Sequence, residues 1–337
     1  MIQVEHINKT FQVARRNAGF MEAFKTLFNK QYEYIKALDD LSFVINDGEM
    51  VGYIGPNGAG KSSTIKILSG ILTPDSGTCL INGRTPWKNR VAHVQDIGVV
   101  FGQRTQLWWD VPVIDSFELL RDIYKIPPQG YKDKLEELIT LLNLEKIIKT
   151  PTRQLSLGQR MRCEIAASLL HDPKILFLDE PTIGLDAVSK IAVRNFILDM
   201  NNRHKTTVIL TTHDMQDIEA LTKRIILIGK GKILLDGSLQ DMKKRFAGHK
   251  RLLLDYDGRD LELSNGMVLA ANEGHSDYGK DTSGFGLKHS IIDIDTDKIQ
   301  ISEAIGKLSA QVDIKDISIT EASIDEVVVK LYKEYEI

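Results

Sequence analysis

The sequence predicts an α/β protein: a mixed sheet flanked by helices, with a helical subdomain and a small α+β domain near the C-terminal end. Three short runs carry that prediction. Residues 50–54, 174–178 and 207–212 are apolar stretches of strand length, the pattern of central strands buried on both faces. Each runs directly into residues of a reactive kind, and residues 63–68 and 160–170 have helical period.

The bulk properties narrow the class. A chain of 337 residues has room for one large and one small domain. With 42% apolar and 26% charged residues, it reads as a soluble globular protein. A net charge of −3 speaks against a nucleic-acid-binding surface. Cys79 and Cys163 stand far apart in no metal-ligand spacing, the pattern of reduced thiols in an intracellular protein. No apolar run approaches the roughly 18–20 residues of a membrane span, and the first six residues lack a signal-peptide pattern. The expectation is a cytosolic protein that meets a membrane only through a partner.

The first strand, Met50 to Ile54, leads into Gly55-Pro56-Asn57-Gly58-Ala59-Gly60-Lys61-Ser62 and then into a helix. Strand, glycine-rich loop and helix is the context that a Gly-x-x-x-x-Gly-Lys-Ser match requires. Glycines let backbone N–H groups converge on phosphate oxygens, and the helix N-terminus favours an anion. Lys61 is placed to reach the β- and γ-phosphates and Ser62 to ligate magnesium. The loop predicts a nucleotide site.

The second strand ends in Asp179 and Glu180. A carboxylate at the carboxyl end of a central strand can hold a magnesium shell through water, the role assigned to Asp179. Glu180 is the candidate general base for an attacking water, worth about 10²–10⁴-fold in rate. Both acids could instead cap the turn that Pro181-Thr182 begins. The third strand delivers His213 at its end, in reach of a γ-phosphate if the strands are parallel neighbours.

Between the phosphate loop and the acidic strand, residues 155–159 read Leu-Ser-Leu-Gly-Gln. Assembled in this order, residues 2–240 resemble the nucleotide-binding subunit of an ABC transporter, with the P-loop NTPase fold of an ABC-type ATPase core. The resemblance implies the following roles. Gly55 to Ser62 form the first phosphate motif, with Ser63 beside them, and Asp179 and Glu180 form the second. Phe11 stacks on adenine, its competing reading being a core phenylalanine. Gln103 senses magnesium and the attacking water, Gly184-Leu185-Asp186 is the loop that crosses between subunits, and His213 is the switch histidine. Ser156, Gly158 and Gln159 are the signature, contacting a γ-phosphate held by the opposite subunit. They are expected just ahead of the helix from Arg160, whose N-terminus would face an anion from elsewhere. ATP and Mg²⁺ are the implied cofactors, and a head-to-tail dimer on two ATP molecules is the implied assembly.

Two positions depart from the family pattern. Leu157 stands where the signature commonly has glycine. Gly102 separates Phe101 from Gln103, which leaves Gln106 as an alternative sensor.

Further segments distinguish the chain. An insertion at about 12–36 precedes a strand expected near Ala37. It spaces Phe20, Phe24, Leu27 and Phe28 on one helical face, with Arg15, Arg16, Lys25 and Lys30 nearby. It reads either as an amphipathic helix facing a membrane or partner, or as a helix packed on the protein's own sheet. Trp108-Trp109 opens a helical subdomain of about 107–170, as anchors for a docking helix or as buried stabilisers. The ATPase domain is assigned to 1–243 and an accessory domain to 246–337. In the latter, Leu252 to Leu254, Leu261 to Leu263 and Ile291 to Ile294 read as strands and 272–288 as a mobile loop. Ser323 opens a capping box for a helix from Val327 to Tyr335.

The insertion, the Trp-Trp pair, the signature and the C-terminal part together look most like ATPases that pair with ABC-2-type permeases, mainly exporters. The implied partners are a second ATPase subunit and a separate permease, with no nucleic acid. The implied location is the cytoplasmic face of the plasma membrane. The alternative is a soluble ABC ATPase of iron–sulfur assembly or of ribosomes and nucleic acid. A silent binding module is disfavoured by Lys61, Asp179, Glu180 and His213 occurring together.

Overall fold

The computed structural model describes residues 1–14, 32–102, 104–245, 249–270, 288–296, 298–321 and 324–335. It divides into two compact units, Met1–Ser238 and Leu239–Glu336.

The first unit opens with an antiparallel pair, β1 (Ile2–Ala14) and β2 (Tyr32–Ile45), which runs from Ile2 opposite Ile45 to Ala14 opposite Tyr32 with register shifts between Val4 and Thr10. Both strands reach into the segment expected to be a helical insertion. Cross-strand pairing of an aromatic with a β-branched residue (Phe11 with Ile35) favours the extended form there. Arg15, Arg16, Phe20, Phe24, Lys25, Leu27, Phe28 and Lys30 lie outside the described residues. β3 (Met50–Ile54) follows, then helix α1 (Lys61–Leu68) and β4 (Ser76–Ile81), which adds to β1 and completes a three-stranded sheet ordered β2-β1-β4.

A second sheet forms from β3, β5 (Ile97–Phe101), β6 (Ile175–Asp179), β7 (Thr207–Thr211), β8 (Arg224–Gly229) and β9 (Lys232–Ser238), in the order β5-β6-β7-β3-β8-β9. All neighbours are parallel except β8 and β9, so the sheet is mixed as expected. Every residue of β3 and β7 is buried, which is why neither strand alternates between apolar and charged residues. The β8–β9 hairpin turns on Lys230 and Gly231, both at positive φ (48° and 79°), as a two-residue hairpin turn needs. Its tip braces the phosphate loop: Gly231 N donates to Ala59 O at 3.0 Å, and Gly231 O accepts from Asp39 N at 2.9 Å. Ile2, Val4, Leu41 and Phe43 of one sheet share a core with Val51, Tyr53, Phe177 and Ile226 of the other and Ile65 of α1.

A short helix α2 (Arg90–Val94) precedes β5, and the helical subdomain follows it: α3 (Val113–Tyr124), α4 (Pro128–Leu142) and α5 (Leu157–Leu169). Pro128 starts α4 at the position where a missing N–H costs nothing. Helices α6 (Ala187–His204) and α7 (Met215–Leu221) follow β6 and β7. Cys79 and Cys163 are free and buried, and burial pushes both thiols up to about 12.

The second unit contains α8 (Leu239–Arg245), β10 (His249–Asp257), β11 (Met267–Leu269), β12 (Lys288–Asp295), α9 (Ile301–Ser309), β13 (Asp313–Glu321) and α10 (Ile324–Glu334). Its strands form an antiparallel sheet ordered β11-β12-β10-β13. Leu252, Leu254 and Tyr256 alternate into a core with Ile292, Ile294, Ala304 and Leu308. Leu261 to Leu263 form no strand; the pairing falls to Met267–Leu269, where Met267 opposes Ile294 and is buried. The final helix begins at Ile324 rather than Val327, and Ser323 lies outside the described residues. So does most of the expected mobile loop, whose last residue, Lys288, already belongs to β12.

Candidate active site

Strand register assembles the site. Phe101 pairs with Asp179, and Asp179 with Thr211, so β5, β6 and β7 end at one level. Gly102, Glu180 and Thr212-His213 therefore follow along one rim, the carboxyl edge where open parallel sheets bind ligands. The phosphate loop leaves the neighbouring β3 at the same edge.

Within that loop Gly60 has φ 112°, and a side chain there would meet the carbonyl oxygen of Ala37 at 2.6 Å. Glycine is required on both counts. Lys61 is buried, and its Nζ donates to Gly55 O at 2.5 Å and to Pro56 O at 3.2 Å. The ammonium is thus folded back across the loop that would cradle a phosphate. Burial pulls the Lys61 pKa below its usual value, and the nearby Glu180 and Asp179 carboxylates oppose that shift.

Asp179 is oriented by two hydroxyls. Thr211 Oγ1 donates to Oδ1 at 2.5 Å, and Ser62 Oγ approaches Oδ2 at 3.4 Å. Ser62 and Asp179 present a hydroxyl and a carboxylate, hard oxygen donors of the kind a phosphate-bound divalent cation takes. Glu180 has φ 56°, a left-handed conformation that is costly for a residue with a side chain. Its N–H donates to Thr211 O at 2.9 Å, and its Oε1 lies 3.0 Å from His213 Nε2. The strained turn sets the acid against the histidine.

A cavity of about 300 Å³ opens here, walled by Ser62, Lys66, Gly102, Arg104, Asp179 and Glu180 among others. Gly102 accounts for the interrupted glutamine-loop pattern: its N–H donates to Asp179 O at 2.7 Å, and a Cβ would lie 2.6 Å from Glu180 O. Gln103 lies outside the described residues. Gln106 has its amide on another partner, with Nε2 donating to Glu164 O at 3.0 Å and its N–H to Glu164 Oε2 at 3.1 Å. Glu164 is buried in α5, and that burial pushes its carboxyl up.

The signature forms a separate cluster. α5 starts at Leu157, so Ser156 is its N-cap and Gly158 and Gln159 lie in its first turn rather than ahead of it. Ser156 Oγ accepts from Gln159 N at 3.2 Å while Gln159 Oε1 accepts from Ser156 N at 2.9 Å, a reciprocal cap. The pairing needs helical geometry at Leu157, which is why the helix begins early. Gly158 packs on Ser189, whose Oγ a Cβ would meet at 2.7 Å. Asp186 caps α6 by accepting from Ser189 N and Ser189 Oγ, each at 2.9 Å, and those bonds hold its carboxyl below the usual range.

Phe11 is 36% exposed on β1, so it is not a core residue. Its place is held by Asp75, which accepts from Thr10 N at 2.6 Å and from Lys9 Nζ at 2.7 Å; that Nζ lies 5.8 Å from the Phe11 ring centroid. Trp108 and Trp109 are 59% and 49% exposed, which excludes the buried alternative. Arg160 of α5 lies over the Trp109 ring at 5.6 Å.

Sequence reasoning missed Thr211, which orients Asp179, and Asp217, a fully buried carboxylate on α7 that accepts from Thr182 and Thr212. The available signal was a polar residue on the apolar face of each element.

A family model described as ABC transporter matches residues 38–183. The probable sulfate/thiosulfate import ATP-binding protein CysA of Chlorella vulgaris is 33% identical over 214 residues, spanning 64% of this chain and 90% of that protein. The ABC transporter ATP-binding protein NatA of Bacillus subtilis (strain 168) is 30% identical over 215 residues, spanning 64% and 87%. Among solved structures, the ATP-binding cassette MJ0796, a dimer in a post-hydrolysis state bound to ADP and Pi, superposes with a TM-score of 0.59. It is 25% identical and covers 71% of this chain and 99% of its own.

Proposed function

The chain belongs to the ABC transporter ATP-binding family, and from that premise we propose that it powers export through a separate ABC-2-type membrane permease. It is the ATP-binding subunit of an ABC transporter and hydrolyses ATP. The observation that carries the coupling to a permease is the exposed Trp108-Trp109 pair. It stands on the surface against Arg160 of the signature helix, where a docking helix could act on the signature directly.

In the proposed mechanism the loop from Gly55 to Ser63 wraps the phosphates, and Lys61 swings from the Gly55 and Pro56 carbonyls onto the β- and γ-oxygens. Ser62 and Asp179, with Gln103, would hold a magnesium ion, which supplies charge neutralisation at those oxygens. Glu180 accepts the proton of the attacking water, and His213, 3.0 Å from it, holds the acid toward the γ-phosphate. Phe11 stacks on the adenine.

Ser156, Gly158 and Gln159 act on the nucleotide of a second subunit, with Asp186 crossing at the same interface. Gly158 and Asp186 meet at Ser189, away from the cavity wall, which supports that reading. The ATPase domain is taken to end near residue 243, with the remainder as an accessory domain. Among the described residues no helix is long and apolar enough to cross a membrane. Attachment to the cytoplasmic face of the plasma membrane is therefore proposed to run through the permease.

The test is capture of tagged Glu180→Gln protein with ATP from detergent-solubilised membranes, followed by mass spectrometry. A polytopic protein in stoichiometric amount is expected, and vesicles holding the captured complex should accumulate or expel candidate substrates in the direction that defines export. Recovery of ribosomal, DNA-associated or iron–sulfur proteins without a permease would refute the proposal.

A further inference from the structure

The hydrolytic pair has a hidden support. Asp217 lies in the first turn of α7 with no exposed surface. One carboxylate oxygen, Oδ2, accepts from Thr182 Oγ1 and from Thr212 Oγ1, the latter at 3.2 Å. The other, Oδ1, accepts from Arg194 Nε at 2.5 Å. Thr182 follows Glu180 by two residues, and Thr212 immediately precedes His213. A single oxygen therefore joins the backbone just past the acid to the backbone just before the histidine.

The surroundings give that junction its rigidity. Thr182 and Thr212 are themselves buried, so neither hydroxyl has water as an alternative partner. The facing charges come from α6 and α7: Arg194 pairs with Asp217 at 2.5 Å and with Asp214 at 3.5 Å, and Lys190 pairs with Asp214 at 2.5 Å. A buried carboxylate is costly unless its oxygens are satisfied, and here three donors satisfy it. Packing alone would be served as well by an apolar side chain. What an apolar residue lacks is a fixed separation between two hydroxyl-bearing segments, and those segments carry Glu180 and His213.

We propose that Asp217 is a positioning residue, whose shared bonds to Thr182 and Thr212 set the separation of Glu180 and His213 and so the rate of ATP hydrolysis. The proposal rests on reading those two residues as the hydrolytic pair. Arg194 extends the same anchor to α6, the helix that Asp186 caps.

The test is steady-state ATPase kinetics of the full chain with Mg-ATP, comparing wild type with Thr182→Val, Thr212→Val, the double variant and Asp217→Asn. Each valine keeps the shape and removes one hydroxyl. Each single variant is expected to lower kcat about tenfold while KM for ATP stays within about twofold, since only the transition-state arrangement is disturbed. The double variant is expected to fall no further than the worse single, because both bonds serve one carboxylate. Asp217→Asn should fall at least as far. Should it misfold, the two valine variants decide alone, with nucleotide affinity and melting temperature as checks of folding. Valine variants that fold but keep wild-type kcat overturn the proposal, as does a raised KM with unchanged kcat or a fully additive double loss. Absence of turnover in the wild type overturns the hydrolytic reading and this inference with it.

Discussion

Replacing Gly102 by alanine tests how closely the glutamine loop is fitted to the catalytic acid. The added Cβ would lie 2.6 Å from Glu180 O and 3.0 Å from Asp179 O, and ordinary contact begins near 3.4 Å. About 0.8 Å must therefore be found, and both obstacles are backbone atoms that cannot rotate away. Gly102 has no left-handed φ, so space and not backbone conformation is the constraint. Two things yield together. The Gly102 N–H bond to Asp179 O, 2.7 Å long, stretches or breaks at a cost of about 1 kcal/mol. Overpacking adds about 1–3 kcal/mol. Glu180 then shifts by a sizeable fraction of an ångström from a position its strained φ of 56° defines. A misplacement near 1 Å costs on the order of 10²-fold, so kcat is expected to drop by about 10- to 100-fold. The measurement is ATP turnover against ATP concentration, together with thermal melting. Wild-type kcat with an unchanged melting temperature would show that the rim tolerates the methyl group, and the argument from close approach would fail.

Three further outcomes are expected. Lys61→Ala should weaken ATP binding by about tenfold or more by titration calorimetry, since each charge-assisted contact is worth about 1.5–3 kcal/mol; equal affinity would remove Lys61 from the phosphate site. Glu180→Gln should lose about 10²–10⁴-fold in turnover yet elute as a dimer from a sizing column with Mg-ATP, and a monomer there counts against the sandwich. Trp108→Ala with Trp109→Ala should leave stability within about 0.5 kcal/mol because both side chains are exposed, while capture of the permease is lost. Retained capture would place the docking surface elsewhere.

Some expectations about form failed for an identifiable reason. The strand expected near Ala37 begins at Tyr32, because β1 supplies pairing partners as far as Ala14 that are distant in sequence. Leu261 and Leu263 alternate like a strand, yet the strand forms at Met267–Leu269, where β12 supplies a pairing edge. The helical period that starts at Arg160 predicts the signature ahead of its helix. The reciprocal bonds of Ser156 and Gln159 start it at Leu157.

The residue pairs of the site are legible in single segments, because each pair is local. A strand, a glycine loop and a helix in tandem place Lys61 and Ser62 together whatever the rest of the chain does. The same holds for Asp179 and Glu180 at the end of an apolar run. How these parts are set against one another follows from packing between distant segments. Asp217, Thr182 and Thr212 meet on one carboxylate across 35 residues of chain. Gly102 is glycine because the carbonyl of Glu180, just past β6, lies 2.6 Å from where its side chain would begin. Burial of a charge and close approach of two backbones depend on which elements pack together, and no periodicity or spacing within one segment encodes that.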